Sequence, residues 1–118
     1  LDKMDPFLYT YVVLKRRKSF STMVNVVSRN PARIMGIYPE KGEICIGCDA
    51  DLIVLNAVKP WKYKVEEHHH KVDWSPWEGM EFYGRTLHAL VNGEPIVIDG
   101  ELVGKPGMGK YVKKRIRR

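Results

Sequence analysis

The sequence predicts an α+β chain, with helices gathered in the first third and strands in the rest. Three observations carry the prediction. Up to residue 36 apolar side chains recur at helical spacing. From Pro39 onward short apolar runs, alternating or continuous, are punctuated by Gly, Asn and Asp, as strands and tight turns are. The two patterns do not interleave, so helices and strands form segregated parts rather than βαβ units.

Each element has its own local reason. Asp5-Pro6 reads as an N-cap followed by proline at the first helical position, where its missing N–H does no harm. Phe7, Leu8, Tyr11 and Val12 then keep helical spacing, and Lys15 to Lys18 supply the basic end that suits a helix C-terminus. Ser19 is a second N-cap, ahead of Phe20, Met23, Val24 and Val27 at i, i+3, i+4 and i+7. Asn30-Pro31 predicts the start of a third, short helix that Gly36 ends. Among the strands, Asp51 to Leu55 reads as a buried one, and Trp61, Tyr63 and Val65 alternate with lysines as a half-exposed one does. Residues 66 to 79 are polar, with Ser75-Pro76 and Gly79 as turn signals. Thr86 to Val91 and Pro95 to Ile98 are expected to pair through Asn92-Gly93, and Asp99-Gly100 leads on to Leu102 and Val103. Pro106, Gly107 and Gly109 predict an irregular end. The strands are few and short, so their edges would stand open to pairing, and the β part is expected to take strands from elsewhere.

Composition narrows the function classes. At 118 residues, 44% of them hydrophobic, the chain is one domain or part of one and is not disordered throughout. No apolar run approaches the roughly 18 residues that span a bilayer, and no signal-peptide layout opens the chain, so a cytoplasmic protein with no membrane partner is expected. Leu1 in place of a methionine fits a fragment. The net charge of +6 suggests nucleic acid until it is located. Lys110, Lys113, Lys114, Arg115, Arg117 and Arg118 crowd the last nine residues; without them 14 bases face 14 acids. The body is electroneutral, and the tail reads as a solvated terminus, which makes nucleic acid an unfavoured partner.

Four groups of residues invite a chemical reading. Cys45 and Cys48 form a C-x-x-C; a redox or zinc role needs them exposed in a loop or backed by a second ligand pair, and no second pair exists. Ile44 and Ile46 alternate with Cys45 as in a strand, so packing there is the reading adopted, a reduced cysteine being a small hydrophobe. His68, His69 and His70 contain an H-x-H near Glu66, Glu67 and Asp73, but no third ligand follows at a supportive spacing, and a solvated polar loop is expected. His88 stands alone in a strand-like run. Trp61, Trp74, Trp77 and Tyr63 could stack on bases or sugars, although packing between substructures is the plainer use. No G-x-S-x-G, glycine-rich phosphate loop or paired-carboxylate arrangement is present.

Several runs together resemble the C-terminal signature of cyclic amidohydrolases, the group of dihydroorotases, hydantoinases and allantoinases. They are N-P-A-R-I-M-G-I-Y-P-E-K-G at 30 to 42, I-G-C-D-A-D-L-I-V-L at 46 to 55, S-P-W-E-G at 75 to 79, Gly84-Arg85, V-N-G-E-P-I-V-I-D-G at 91 to 100 and G-K-P-G-M-G-K at 104 to 110. The order and spacing are the family's, over about four-fifths of the chain. The resemblance implies that residues 1–36 are terminal helices of a (β/α)8 barrel, that 37–110 are strands returning to a small composite β-sandwich, and that 111–118 are a basic tail. Gly47 and Asp49 to Asp51 would form the turn into the first returning strand.

The same resemblance implies the chemistry. Family members open or close a cyclic amide with one or two zinc-like ions that lower the pKa of a bound water. The ligands are an H-x-H after the first barrel strand, a carboxylated lysine, two further histidines and an aspartate after the last strand, and all of these would precede Leu1. The histidine triplet at 68–70 is a departure from the family, and its place after the returning strands is wrong for that metal pair. No catalytic, cofactor-binding or metal residue is therefore expected in this chain; Leu1 and Asp2 would only adjoin a substrate loop. The favoured reading is a dihydroorotase, interconverting dihydroorotate and carbamoyl-aspartate in pyrimidine biosynthesis. Allantoinase and hydantoinase/dihydropyrimidinase are the alternatives, and a non-catalytic scaffold or a basic-tail binding module those of another class. The expected partners are the upstream barrel and N-terminal sandwich strands of the same protein, a cyclic amide substrate and further copies in a homo-oligomer.

Overall fold

The computed structural model describes residues 3–67 and 71–114. Helix α1, Met4–Leu8, runs without a break into wider π turns over Tyr9–Lys15. The N-cap falls at Lys3, two residues before the one expected, and no side chain caps it. Asp5 instead lies in the first turn, where its charge meets the positive end of the helix. Pro6 is still within the stretch whose N–H groups have no intrahelical acceptor, so the shift costs no hydrogen bond.

Ser19 caps the second helical stretch as expected, accepting the Thr22 N–H at 3.1 Å. Helix α2, Phe20–Val24, passes through π turns at Asn25–Arg29 into α3, Asn30–Met35. No new helix begins at Asn30-Pro31: Arg29 and Asn30 keep right-handed helical angles. The widened turn explains why proline is tolerated there. A π turn displaces the carbonyl that a proline ring would strike and already lacks the α-type bond that proline cannot make. Gly36 ends the stretch at φ 72°, with the Ile37 and Tyr38 N–H groups returning to the Ala32 carbonyl.

Among the described residues six strands follow: β1 Leu52–Asn56, β2 Trp61–Lys62, β3 Glu81–Phe82, β4 Arg85–Val91, β5 Glu94–Ile98 and β6 Glu101–Leu102. One antiparallel sheet has the order β1-β4-β5-β6, and β2 pairs with β3 in a separate antiparallel ribbon. Both predicted turns form. Asn92 and Gly93 take φ 53° and 81°, and Asp99 and Gly100 take 51° and 84°, the paired positive angles that match strand twist in two-residue hairpins. The β4–β5 register slips between Ala89 and Leu90, beside Pro95, which has no N–H for the ladder.

Beyond Trp61–Lys62 the predicted alternation continues: Tyr63 is buried while Lys62 and Lys64 are exposed, and the Tyr63 N–H donates to the Met80 carbonyl at 2.9 Å. The core is a small aromatic one. Phe82 is fully buried and Tyr63 nearly so; Phe7 and Tyr11 of the first helix reach the Phe82 ring at 6.3 Å each, and Trp61 reaches it at 5.7 Å. Thr10 fixes the docking height, accepting the Tyr83 N–H at 2.8 Å and donating to the Tyr83 carbonyl at 3.3 Å. The four-stranded sheet is different: none of its residues is buried, and the consecutive Ile53 and Val54, which point to opposite faces, are 54% and 45% exposed. Apolar side chains of the helices, Val26, Ile34 and Met35, stand equally open.

Candidate functional site

The reading of Cys45 as a strand residue is overturned. Cys45, exposed, and Cys48, half-buried, lie in a turn before β1 and are joined in a disulfide, with Ile44 and Ile46 projecting into solvent beside them. Gly47, at φ 82° in this turn, is what breaks the strand pattern. The condition for a chemical role, exposure in a loop, is therefore met by the structure and not by the sequence pattern.

Next to this turn three separated runs converge on one cation. Lys41 Nζ lies 2.8 Å from Asp49 Oδ2 and 2.5 Å from Asp51 Oδ2, and donates to Asn92 Oδ1 at 3.3 Å. Asp51 accepts the Asn92 N–H at 2.8 Å through its other oxygen. Burial by itself raises the Asp51 carboxyl, but the hydrogen bonds from Lys41 and the Asn92 N–H, with the charge of Lys41, outweigh it and hold the group below its ordinary value. Burial lowers Lys41, and the two carboxylates outweigh that in turn and raise it. This knot ties P-E-K-G, D-A-D and V-N-G together, so the runs that carry the family resemblance meet in space as a fold lock. Asp49 and Asp51 had a turn role in the sequence; Lys41 had none, and no local signal marks it.

A second cluster lies at the helix–ribbon junction. Lys3 Nζ sits 5.6 Å from the Trp61 ring centre and 5.7 Å from that of Tyr63, and the Arg85 guanidinium covers Trp61 at 5.5 Å. Trp77 packs on Phe7 at 6.0 Å, while Trp74 is 68% exposed. The Trp61 Nε1 is buried without a hydrogen-bond partner. Burial raises the Asp5 carboxyl. The arrangement is a packing junction rather than a stacking platform, since its rings pack edge-on or tilted against one another.

The implied metal finds no donor set here. Among the described residues no group of three or more His, Cys, Asp or Glu is placed to hold an ion, so these residues do not fit one. His68, His69 and His70 lie outside the described residues, as do Leu1 and Asp2. His88 sits in β4, accepting the Asp99 N–H on Nδ1 at 3.3 Å across the β5–β6 turn. Among the described residues no helix is long and apolar enough to cross a membrane.

The described residues form a small α+β unit whose four-stranded sheet is incompletely covered. Residues 10–96 match the family model described as "Amidohydrolase family", and the chain belongs to that family. It is 39% identical over 107 residues to a D-hydantoinase of Geobacillus stearothermophilus, 91% of this chain and 23% of that protein. A D-phenylhydantoinase of Escherichia coli O1:K1 is 32% identical over 108 residues, covering 92% and 23%. Among solved structures, a D-hydantoinase (dihydropyrimidinase) from Thermus sp. superposes with a TM-score of 0.87 at 35% identity, covering 92% of this chain and 24% of that one. The chain thus spans about a quarter of the length of these relatives. The relatives are cyclic amidohydrolases, as the resemblance implied, but hydantoinases, which was the alternative and not the dihydroorotase favoured there.

Proposed function

We propose that the protein carrying this chain is a hydantoinase- or dihydropyrimidinase-type hydrolase that opens a ring amide C–N bond. The observation that supports this reading over a dihydroorotase is 39% identity to a D-hydantoinase across 91% of the chain. In this reading the chain does no bond chemistry. It holds the end of the barrel to the sandwich through the Thr10–Tyr83 bonds, the aromatic junction and the Lys41 knot, while the zinc ions of the cytoplasmic enzyme are held by residues outside those described. The exposed faces of β1, α2 and α3 take the remaining barrel and sandwich strands.

The test is substrate competition with the full-length protein. Ring opening of hydantoin, dihydrouracil, dihydroorotate and allantoin would be followed at equal concentrations, with loss of ring absorbance as the readout. A kcat/KM at least tenfold higher on hydantoin or dihydrouracil is expected. Preference for dihydroorotate would restore the dihydroorotase reading, and inertness toward all four would leave a non-catalytic relative.

A further inference from the structure

Cys45 and Cys48 stand at the tip of an excursion between α3 and β1 that the proposed hydrolysis does not use. Its base is closed independently of the sulfurs: the Asp49 N–H donates to the Glu40 carbonyl at 2.9 Å, and Lys41 holds Asp49 and Asp51. At the tip the Cys48 N–H donates to the Cys45 carbonyl at 3.1 Å, and the two Cα atoms lie 5.3 Å apart. That separation is within the span a disulfide bridges without moving the backbone. Backbone bonds and ion pairs therefore keep the cysteines side by side whether or not they are bonded. Residues 44 to 47 are all exposed, with Ile44 at 86% and Ile46 at 106%, so a thiolate reaches Cys45 directly from solvent.

We infer that Cys45 and Cys48 form a reversible thiol–disulfide exchange site that favours neutral and cationic thiols over anionic ones. In the reductive direction a thiolate attacks Cys45 Sγ. A mixed disulfide forms, the Sγ–Sγ bond breaks, and its electron pair leaves with Cys48 Sγ, which takes a proton from solvent. A second thiolate attacks the outer sulfur of the mixed disulfide and releases the oxidised thiol dimer with a Cys45 thiolate. Two electrons pass from two thiols to the two cysteines. The charge preference comes from the segment and its ion pairs: Glu40, Glu43, Asp49 and Asp51 face Lys41 and Arg29, which pairs with Glu43 at 3.3 Å, and the balance remains acidic. This excess repels an anionic thiol and attracts an aminothiol, and salt screens both effects.

The experiment takes the full-length protein, native and air-oxidised, and reduces it with cysteamine or glutathione at matched thiolate concentration. Free cysteines are trapped with iodoacetamide at intervals, and the peptide holding both residues is weighed. No label before reduction and two labels after it, without denaturant, are expected. Cysteamine should act severalfold faster than glutathione at low salt, and the difference should shrink at high salt. In Cys48→Ser, Cys45 should be captured as a mixed disulfide when cystamine, the disulfide of the aminothiol, is supplied, releasing one cysteamine. Two labels before any reductant, reduction only in denaturant, equal rates at low salt or an unmodified Cys45 in the variant would each overturn the inference.

Discussion

Gly42→Ala would strike a place where helix and loop backbones nearly touch. Gly42 has φ +88°, and a Cβ added there would lie 2.6 Å from Ala32 Cβ, 3.0 Å from the Ser28 carbonyl oxygen and 3.3 Å from Arg29 Cα. Two costs combine. The left-handed conformation penalises any Cβ by about 1–2 kcal/mol, and forcing a methyl into a packed contact adds about 1–3 kcal/mol. Ala32 is 4% exposed and anchored in α3, so it has little room to yield. A total of about 3 kcal/mol is expected, measured by urea unfolding followed through tryptophan fluorescence of the full-length protein. The partner variant Ala32→Gly separates the terms: it costs about 1 kcal/mol on its own as a helix glycine but removes the shortest contact. In that background Gly42→Ala should cost about 1–2 kcal/mol less than in the native protein, a coupling that neighbours show and distant residues do not. A neutral Gly42→Ala, or a penalty unchanged by Ala32→Gly, would refute the close-approach account.

Further outcomes can be checked on the same protein. Thr10→Val keeps the shape but leaves the Tyr83 N–H and carbonyl without their partner in a buried place; a loss of about 2–3 kcal/mol is expected, and a variant as stable as the parent would show that the bond pair does not fix the helix. Phe82→Ala removes a fully buried ring from the aromatic junction and should cost about 3–5 kcal/mol by the same unfolding measurement; less than 1 kcal/mol would mean that the junction is not a core. The Lys41 knot sets a pH window. Asp51 has a folded pKa below its ordinary 3.8, so its contribution is present above 3.8 and lost as pH falls through the lowered value. Lys41 lies above its ordinary 10.5, so its contribution is complete below 10.5 and lost as pH climbs through the raised value. The knot's own contribution should be level between those limits, and Asp51→Asn should flatten the acid limb; an acid limb identical in the variant would count against the knot.

The local grammar of the chain was legible wherever cause and effect lie within a few residues. Ser19 caps a helix because its own hydroxyl reaches Thr22, and Asn92-Gly93 and Asp99-Gly100 turn because their own backbones accept positive φ. The order of helices before strands was read correctly for the same reason, and the quoted runs were enough for the family but not for the substrate class. What the tertiary structure decided involves partners far apart in sequence. Thr10 meets Tyr83, Lys41 draws together Asp49, Asp51 and Asn92, and Ala32 requires a glycine at position 42. Cys45 shows the limit most clearly. Its alternation with Ile44 and Ile46 is the pattern of a strand, and only the left-handed Gly47 and the clamp beneath it turn that segment outward as an exposed disulfide loop. Periodicity records which side chains share a face when the backbone is regular; it carries no information about a turn held from outside by a lysine and two aspartates.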